Sequence, residues 1–279
     1  MIIDGRRIGY DDSGGSGVPL VLLHGFPLDR SVWDEQMPAL AGTRVIRVDL
    51  RGCGESEPSD GPALMEVLAG DVAGVLDMLH VERAAFVGHS IGGYVALAFF
   101  RMYAERVAGL ALVASHVAED AGNNPNADPA QRELAASRDA LAVRLETQGT
   151  MDAAVESYLP RYFAPRFYRD DPALVERARA LMQRQNARGC AQLVRGMKER
   201  LDSHDLLEDI AVPALVIAGD ADTYLKAETL RATAAAIRGA EFVLLEDTGH
   251  LPMWEAPRKT ADALASFAQR VRAPEEGSP

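Results

Sequence analysis

From residue 18 onward, short apolar runs alternate with longer stretches in which apolar residues recur every three or four positions, the pattern of a parallel sheet wrapped by helices. Six runs read as strands: Val18–Leu23, Arg44–Asp49, residues 84–88, Val107–Ala114, Ala214–Ala218 and Phe242–Leu245. They are apolar nearly throughout instead of alternating, which implies a sheet covered on both faces. Helices predicted near residues 31–40, 65–80, 91–104, 227–238 and 256–271 supply that cover. Residues 6–10, with residues 1–4, are expected to add an antiparallel edge.

Between about 116 and 211 the rhythm breaks. No strand pattern appears, and arginines, acids and alanines recur at helical spacing, so this stretch reads as a helical cap inserted into a core formed by residues 1–115 and 212–279. Asn123-Asn124-Pro125-Asn126 reads as a loop. Asp128-Pro129 and Asp171-Pro172 read as helix starts, with aspartate as the cap and proline at the first helical position. Tyr158, Tyr162, Phe163, Phe167 and Tyr168 cluster in its middle, either to glue the cap helices together or to roof an apolar pocket. Ala273–Pro279 reads as a frayed tail.

Composition narrows the classes. With 48% apolar and 25% charged residues, the chain matches neither disorder nor a membrane-spanning protein. The segment Met1–Arg7 lacks the basic and apolar regions of a secretory signal, so a cytoplasmic location is expected. A formal charge of −12 disfavours nucleic acid and anionic membrane as partners and favours an uncharged or apolar small substrate. Cys53 and Cys190 are far apart in sequence and suggest neither a disulfide framework nor a metal motif; both are expected to be reduced. Oligomeric state is not readable.

Three segments that follow apolar runs carry candidate chemistry, in the order serine, aspartate, histidine. Gly88-His89-Ser90-Ile91-Gly92 lies between a strand pattern and a helix pattern, the setting of a nucleophile elbow that exposes the Ser90 hydroxyl above a sheet edge. A serine hydroxyl is a poor nucleophile at neutral pH and needs a base, a group to orient that base, and donors for the oxyanion. His250, in Asp247-Thr248-Gly249-His250-Leu251-Pro252 after the last strand, is the candidate base. His80, His116 and His204 read as surface or loop residues, and His89 as pointing away from the nucleophile. The orienting acid should come from Gly219-Asp220-Ala221-Asp222, where Asp222 is preferred and Asp220 is the alternative, with loop amides as its ordinary partners.

His24-Gly25-Phe26-Pro27 follows the first strong strand and brings the Phe26 amide to the same edge, so Phe26 N–H and Ile91 N–H form the expected oxyanion hole. Asp49-Leu50-Arg51-Gly52-Cys53-Gly54-Glu55-Ser56 matches no phosphate-loop spacing and reads as a turn supported by Arg51. No two histidines stand at zinc-ligand spacing, and no metal is expected. Trp33 and Trp254 are candidates either for the pocket mouth or for burial against the sheet.

These five ordered motifs resemble the α/β-hydrolase superfamily over nearly the whole chain, and in particular bacterial carboxylesterases and 3-oxoadipate enol-lactonase-like hydrolases. The resemblance implies an α/β fold with a mostly parallel eight-stranded sheet and a helical cap after the sixth strand. It also implies Ser90, Asp222 and His250 as nucleophile, acid and base, with no cofactor, acting on a small ester or lactone. Many relatives carry proline a few positions past the acid, where this chain has Thr223-Tyr224-Leu225-Lys226. Cofactor-free haloperoxidases acting as perhydrolases and carbon–carbon bond hydrolases share the serine triad and stand as alternatives. A small-molecule receptor on the same fold is the non-enzymatic one.

Overall fold

In the computed structural model, which describes residues 1–120 and 127–272, the six predicted runs and Tyr10–Asp12 form a seven-stranded sheet. In chain order the strands are β1 (Ile2–Ile3), β2 (Arg6–Arg7), β3 (Tyr10–Asp12), β4 (Leu20–Leu23), β5 (Val45–Val48), β6 (Ala84–His89), β7 (Val107–Val113), β8 (Ala214–Gly219) and β9 (Glu241–Leu245). The sheet runs β3-β5-β4-β6-β7-β8-β9, antiparallel between β3 and β5 and parallel elsewhere.

The sheet is one strand short of the expected eight because the N-terminal segment pairs with itself. Asp4 and Gly5, with φ of 46° and 77°, make a two-residue turn that sets Ile2 opposite Arg7 and Ile3 opposite Arg6. Only Tyr10–Asp12 is left to pair with β5. The helical insertion accordingly follows the fifth strand of this sheet, β7, and not a sixth.

The helices are α1 (Met65–Met78), α2 (Ile91–Tyr103), α3 (Pro129–Gln148), α4 (Asp152–Tyr158), α5 (Phe167–Asp170), α6 (Pro172–Gln183), α7 (Ala187–Lys198), α8 (Ala227–Ala236), α9 (Pro252–Glu255) and α10 (Pro257–Arg272). Both faces of the sheet are covered. On one, Phe86 of β6 meets Phe99 of α2 with ring centroids 4.3 Å apart; on the other, Phe267 of α10 lies against Gly109 of β7. The helix expected near 31–40 is instead a 3₁₀ segment, Arg30–Leu40, with Pro38 inside it. No helix among the described residues is long and apolar enough to cross a membrane.

Between β7 and β8 the described residues are helices and loops. Asp128 accepts from Gln131 N–H at 2.8 Å and Asp171 from Leu174 N–H at 3.0 Å, so both aspartate-proline pairs open helices as expected. The Asn123–Asn126 loop and the 273–279 tail lie outside the described residues. This helical segment is fastened to the sheet's loops at several points: Arg184 and Gln185 donate to Asp29 at 2.7 and 2.9 Å, and Gln192 O accepts from Ala63 N–H at 3.0 Å. Cys53 and Cys190, remote in sequence, meet there as buried free thiols with sulfurs 4.0 Å apart.

Beside the thiols, α7 approaches the loop after β5 so closely that a Cβ on Gly189 would stand 2.3 Å from Gly52 Cα. Gly→Ala inside a helix ordinarily gains up to about 1 kcal/mol. Here the obstructing atom is backbone and cannot rotate away, so overpacking wins. Gly189→Ala is expected to lower stability by about 1–3 kcal/mol, read as a lower urea midpoint at unchanged slope.

Candidate active site

The parallel strands end on one rim of the sheet, and the candidate residues follow from those ends. Ser90 sits between β6 and α2 with φ 51° and ψ −118°, a left-handed conformation that costs a serine about 1–3 kcal/mol. Neighbouring bonds hold the strain in place. Ser90 N–H donates to Val113 O at 3.0 Å, and Ser90 O accepts from Gly93 N–H at 2.9 Å and the Ser115 hydroxyl at 2.8 Å. Only glycine fits at position 92, since a Cβ there would stand 2.4 Å from the Leu23 carbonyl oxygen.

His250, 1% exposed, follows β9, and Asp222 follows β8. His250 Nδ1 lies 2.8 Å from Asp222 Oδ2, while Asp222 Oδ1 accepts from Tyr224 N–H at 2.7 Å and Leu225 N–H at 3.0 Å. An ionised carboxylate only accepts, so Nδ1 carries the proton and Nε2 the lone pair. Asp220 instead faces the Thr248 amide at 3.4 Å and stands exposed. The Thr223–Lys226 stretch, lacking the relatives' proline, is shaped by its two amides on Asp222.

Ser90, His250 and Phe26 line one narrow void of about 10 Å³, room for a single water. Tyr158, Tyr224 and Arg138 line both this void and an outer cavity of about 510 Å³. The aromatic cluster thus divides. Tyr158 and Tyr162 face the void, whereas Phe163, Phe167 and Tyr168 pack on one another at ring separations of 6.0 and 6.2 Å. Trp33 is fully buried and Trp254 donates to Val32 O at 3.0 Å, so burial is the role of both.

Several residues bear on the site without a motif to announce them. Glu255, buried, accepts from Gly249 N–H at 2.8 Å and Leu251 N–H at 2.9 Å, on either side of His250, and from Ala164 N–H at 2.7 Å. Burial lifts its carboxyl above the usual range and the three amides draw it back only in part. The His250 amide itself donates to Tyr162 O at 2.9 Å, and the Tyr162 hydroxyl donates to Phe26 O. His24 accepts from Leu50 N–H at 2.9 Å through Nε2, so its Nδ1–H donates to Gly25 O at 2.8 Å and braces the loop that carries Phe26. His89 Nε2 donates to His250 O at 2.8 Å.

His116, expected as a surface or loop residue, lies in the loop after β7 and lines the outer cavity, and Arg200 donates to its Nε2 at 2.9 Å. Burial, aided by that guanidinium, pushes its pKa down to about 3. His80 and His204 are exposed and line neither cavity, and Arg51 pairs with Asp71 of α1 at 2.5 Å.

Residues 18–257 match the family model described as the α/β hydrolase fold. In sequence the chain is 26% identical over 273 residues to 3-oxoadipate enol-lactonase 1 of Acinetobacter baylyi, covering 96% of this chain and 95% of that one. In structure it is similar to a thermophilic esterase from Thermogutta terrifontis, with a TM-score of 0.88 and 35% identity, covering 96% of this chain and 95% of that one. A similar likeness holds to the enol-lactonase of Burkholderia xenovorans LB400, at TM-score 0.84 and 30% identity over 96% and 98% of the two chains.

Glu255→Gln keeps one acceptor oxygen but turns an amide group toward a backbone N–H. Steady-state kinetics should show turnover reduced about 10- to 100-fold with KM nearly unchanged, since misplacing the His250 loop harms chemistry more than binding. Acid should also weaken the fold. The folded pKa of His116 lies below its unfolded value near 6.5, so its stabilisation is complete above pH 6.5 and is lost as pH falls from there toward 3. His89, held well below 6.5 by burial, adds to the same slope. Denaturant unfolding at a series of pH values should show His116→Gln flattening that dependence by up to about 1.4 kcal/mol per unit.

Proposed function

The chain belongs to the α/β-hydrolase fold family, and from that premise we propose that it is a serine hydrolase cleaving a small carboxylic ester or lactone through an acyl-enzyme. The reading is carried by one observation: Ser90 and His250 share a cavity wall while the far nitrogen of His250 lies 2.8 Å from the Asp222 carboxylate. A base is thus oriented from behind, with its lone pair free on the other side.

In this scheme Ser90 Oγ attacks the scissile carbonyl as His250 Nε2 takes its proton. Asp222 keeps the imidazole in the required tautomer and stabilises the imidazolium that forms. The oxyanion is received by Phe26 N–H, beside the void, and by Ile91 N–H, which as the first amide of α2 has no intrahelical acceptor. His250 returns the proton to the leaving alkoxide, then deprotonates a water that releases the acid and restores Ser90. A void this small beside Ser90 favours a short acyl portion, admitted by displacement of the Tyr158 and Tyr224 rings.

Multiple turnover of a short-chain chromogenic ester by the wild type, and its loss by about 10⁴-fold or more in Ser90→Ala, is the expected result. Unchanged activity in that variant would remove Ser90 from the scheme. Asp222→Asn should cost about 10⁴-fold and Asp220→Asn little; the reverse order would reassign the acid. The base must be neutral to take the Ser90 proton, so the chemical step should slow on acidification. A profile flat from about pH 5 to 8 would contradict a histidine base.

A further inference from the structure

Arginine at position 138 is out of place for a helix that otherwise wets its charges. On α3 it shares one face with Leu141, Ala142 and Leu145, at spacings of three, four and seven, and is 4% exposed. A buried guanidinium is tolerated only when it is paired. Its partner is Asp120, 2.8 Å from both Nε and Nη2, and Nη1 donates to the Tyr158 hydroxyl at 2.6 Å. Those contacts occupy at most three of five N–H donors.

Asp120 is also the carboxylate partner of Arg200, which is 5% exposed, so two buried cations share one anion. The Arg138 and Arg200 guanidiniums hold the Asp120 carboxyl below the usual range despite its burial, so that anion is present at neutral pH. His116, beside them, is neutral there and offsets nothing. Arg200 is further engaged by Ala118 O at 2.9 Å and by the Tyr94 ring at 4.1 Å, which leaves Arg138 as the member of the pair that lines both cavities. Arg161 adds a third cation at the rim of the outer cavity. Its guanidinium lies 5.0 Å from the Tyr224 ring centroid and bonds Ser157 O at 2.9 Å, with no carboxylate partner among the described residues.

The cavity floor is therefore cationic in a chain whose formal charge is −12. Overall charge acts from outside and is screened over about 10 Å, whereas a guanidinium at contact acts in a poorly solvated space. For a ligand inside the cavity the local term wins.

We propose that Arg138, assisted by Arg161, is an anion subsite, and that the substrate is an ester or lactone bearing a separate carboxylate, held there while its scissile carbonyl sits at Ser90. The proposal rests on the serine hydrolase reading for the second half of that statement only. Because the same side chain lines both chambers, carboxylate and carbonyl are separated by only a few carbons. The second carboxylate completes the pairing that Asp120 leaves half met.

The test compares para-nitrophenyl hydrogen glutarate with para-nitrophenyl pentanoate, which share a leaving group and differ in the terminal charge, after subtraction of uncatalysed rates. Wild type is expected to favour the anionic ester by about 10- to 100-fold in kcat/KM, the worth of a charge-assisted bidentate contact. Arg138→Gln should collapse the ratio toward unity and Arg138→Lys should restore part of it. Arg161→Gln, at an exposed position that does not endanger folding, should lower it about 2- to 5-fold. A wild-type ratio at or below unity overturns the subsite, as does a ratio that neither glutamine variant changes.

Calorimetric binding of glutarate to Ser90→Ala separates the two readings. Glutarate bound, with Arg161→Gln in the same background weakening it, supports the subsite even if no ester is turned over, in which case the serine assignment fails alone. Esters turned over without charge preference, and no glutarate bound, leave the serine assignment and overturn the subsite.

Discussion

Parallel pairing of six neighbouring strands forces every strand of that set to end on the same rim, and all the candidate chemistry depends on that constraint. Phe26 leaves β4, Ser90 leaves β6, Asp222 leaves β8 and His250 leaves β9, so residues up to 224 positions apart in the chain become neighbours without any of them being near in sequence. The register does the rest. Leu23 pairs with Gly88, so the turns that carry Phe26 and Ser90 begin side by side. Local strain is affordable at Ser90 because its backbone is bonded to β7 and to Ser115 on either side.

The helices between β7 and β8 are more than a roof over that rim. Tyr162 supplies its carbonyl to the His250 amide and its hydroxyl to the Phe26 carbonyl, and Ala164 shares the Glu255 carboxylate with the two amides that flank His250. The His250 loop, the Phe26 loop and these helices are one hydrogen-bonded unit. The electrostatics follow the same division of labour: acids outnumber bases over the chain, while α3 carries the buried Arg138 to the cavity wall.

Strand and helix periodicity made the α/β order legible, and a serine, an aspartate and a histidine placed after apolar runs made the candidate site legible with it. What periodicity could not register is contact between distant elements. The turn at Asp4-Gly5 removed a strand from the sheet; its residues are visible in the sequence, and their consequence depends on what else the chain could pair with. Asp222 and Asp220 stood two residues apart and were separated only by what each meets in the loop after β9, the His250 ring at Asp222 and the Thr248 amide at Asp220. Arg138 did leave a trace, as a lone cation on the apolar stripe of its helix. Glu255 left a fainter one, an acid in the apolar window after His250. Cys53 and Cys190 left none, because their proximity is made by the approach of α7 to the loop after β5.

The bond between the His250 amide and the Tyr162 carbonyl has a kinetic meaning. A hinge that lifted the helices off the rim would carry away the support of the His250 loop, so on the serine hydrolase reading an open molecule and a competent one are different molecules. On the serine hydrolase reading, ligand exchange is left to rotation of the Tyr158 and Tyr224 rings, which line both chambers. Ring rotation belongs to a faster regime than domain opening, and traffic through such a partition need not wait on the slow breathing of the fold.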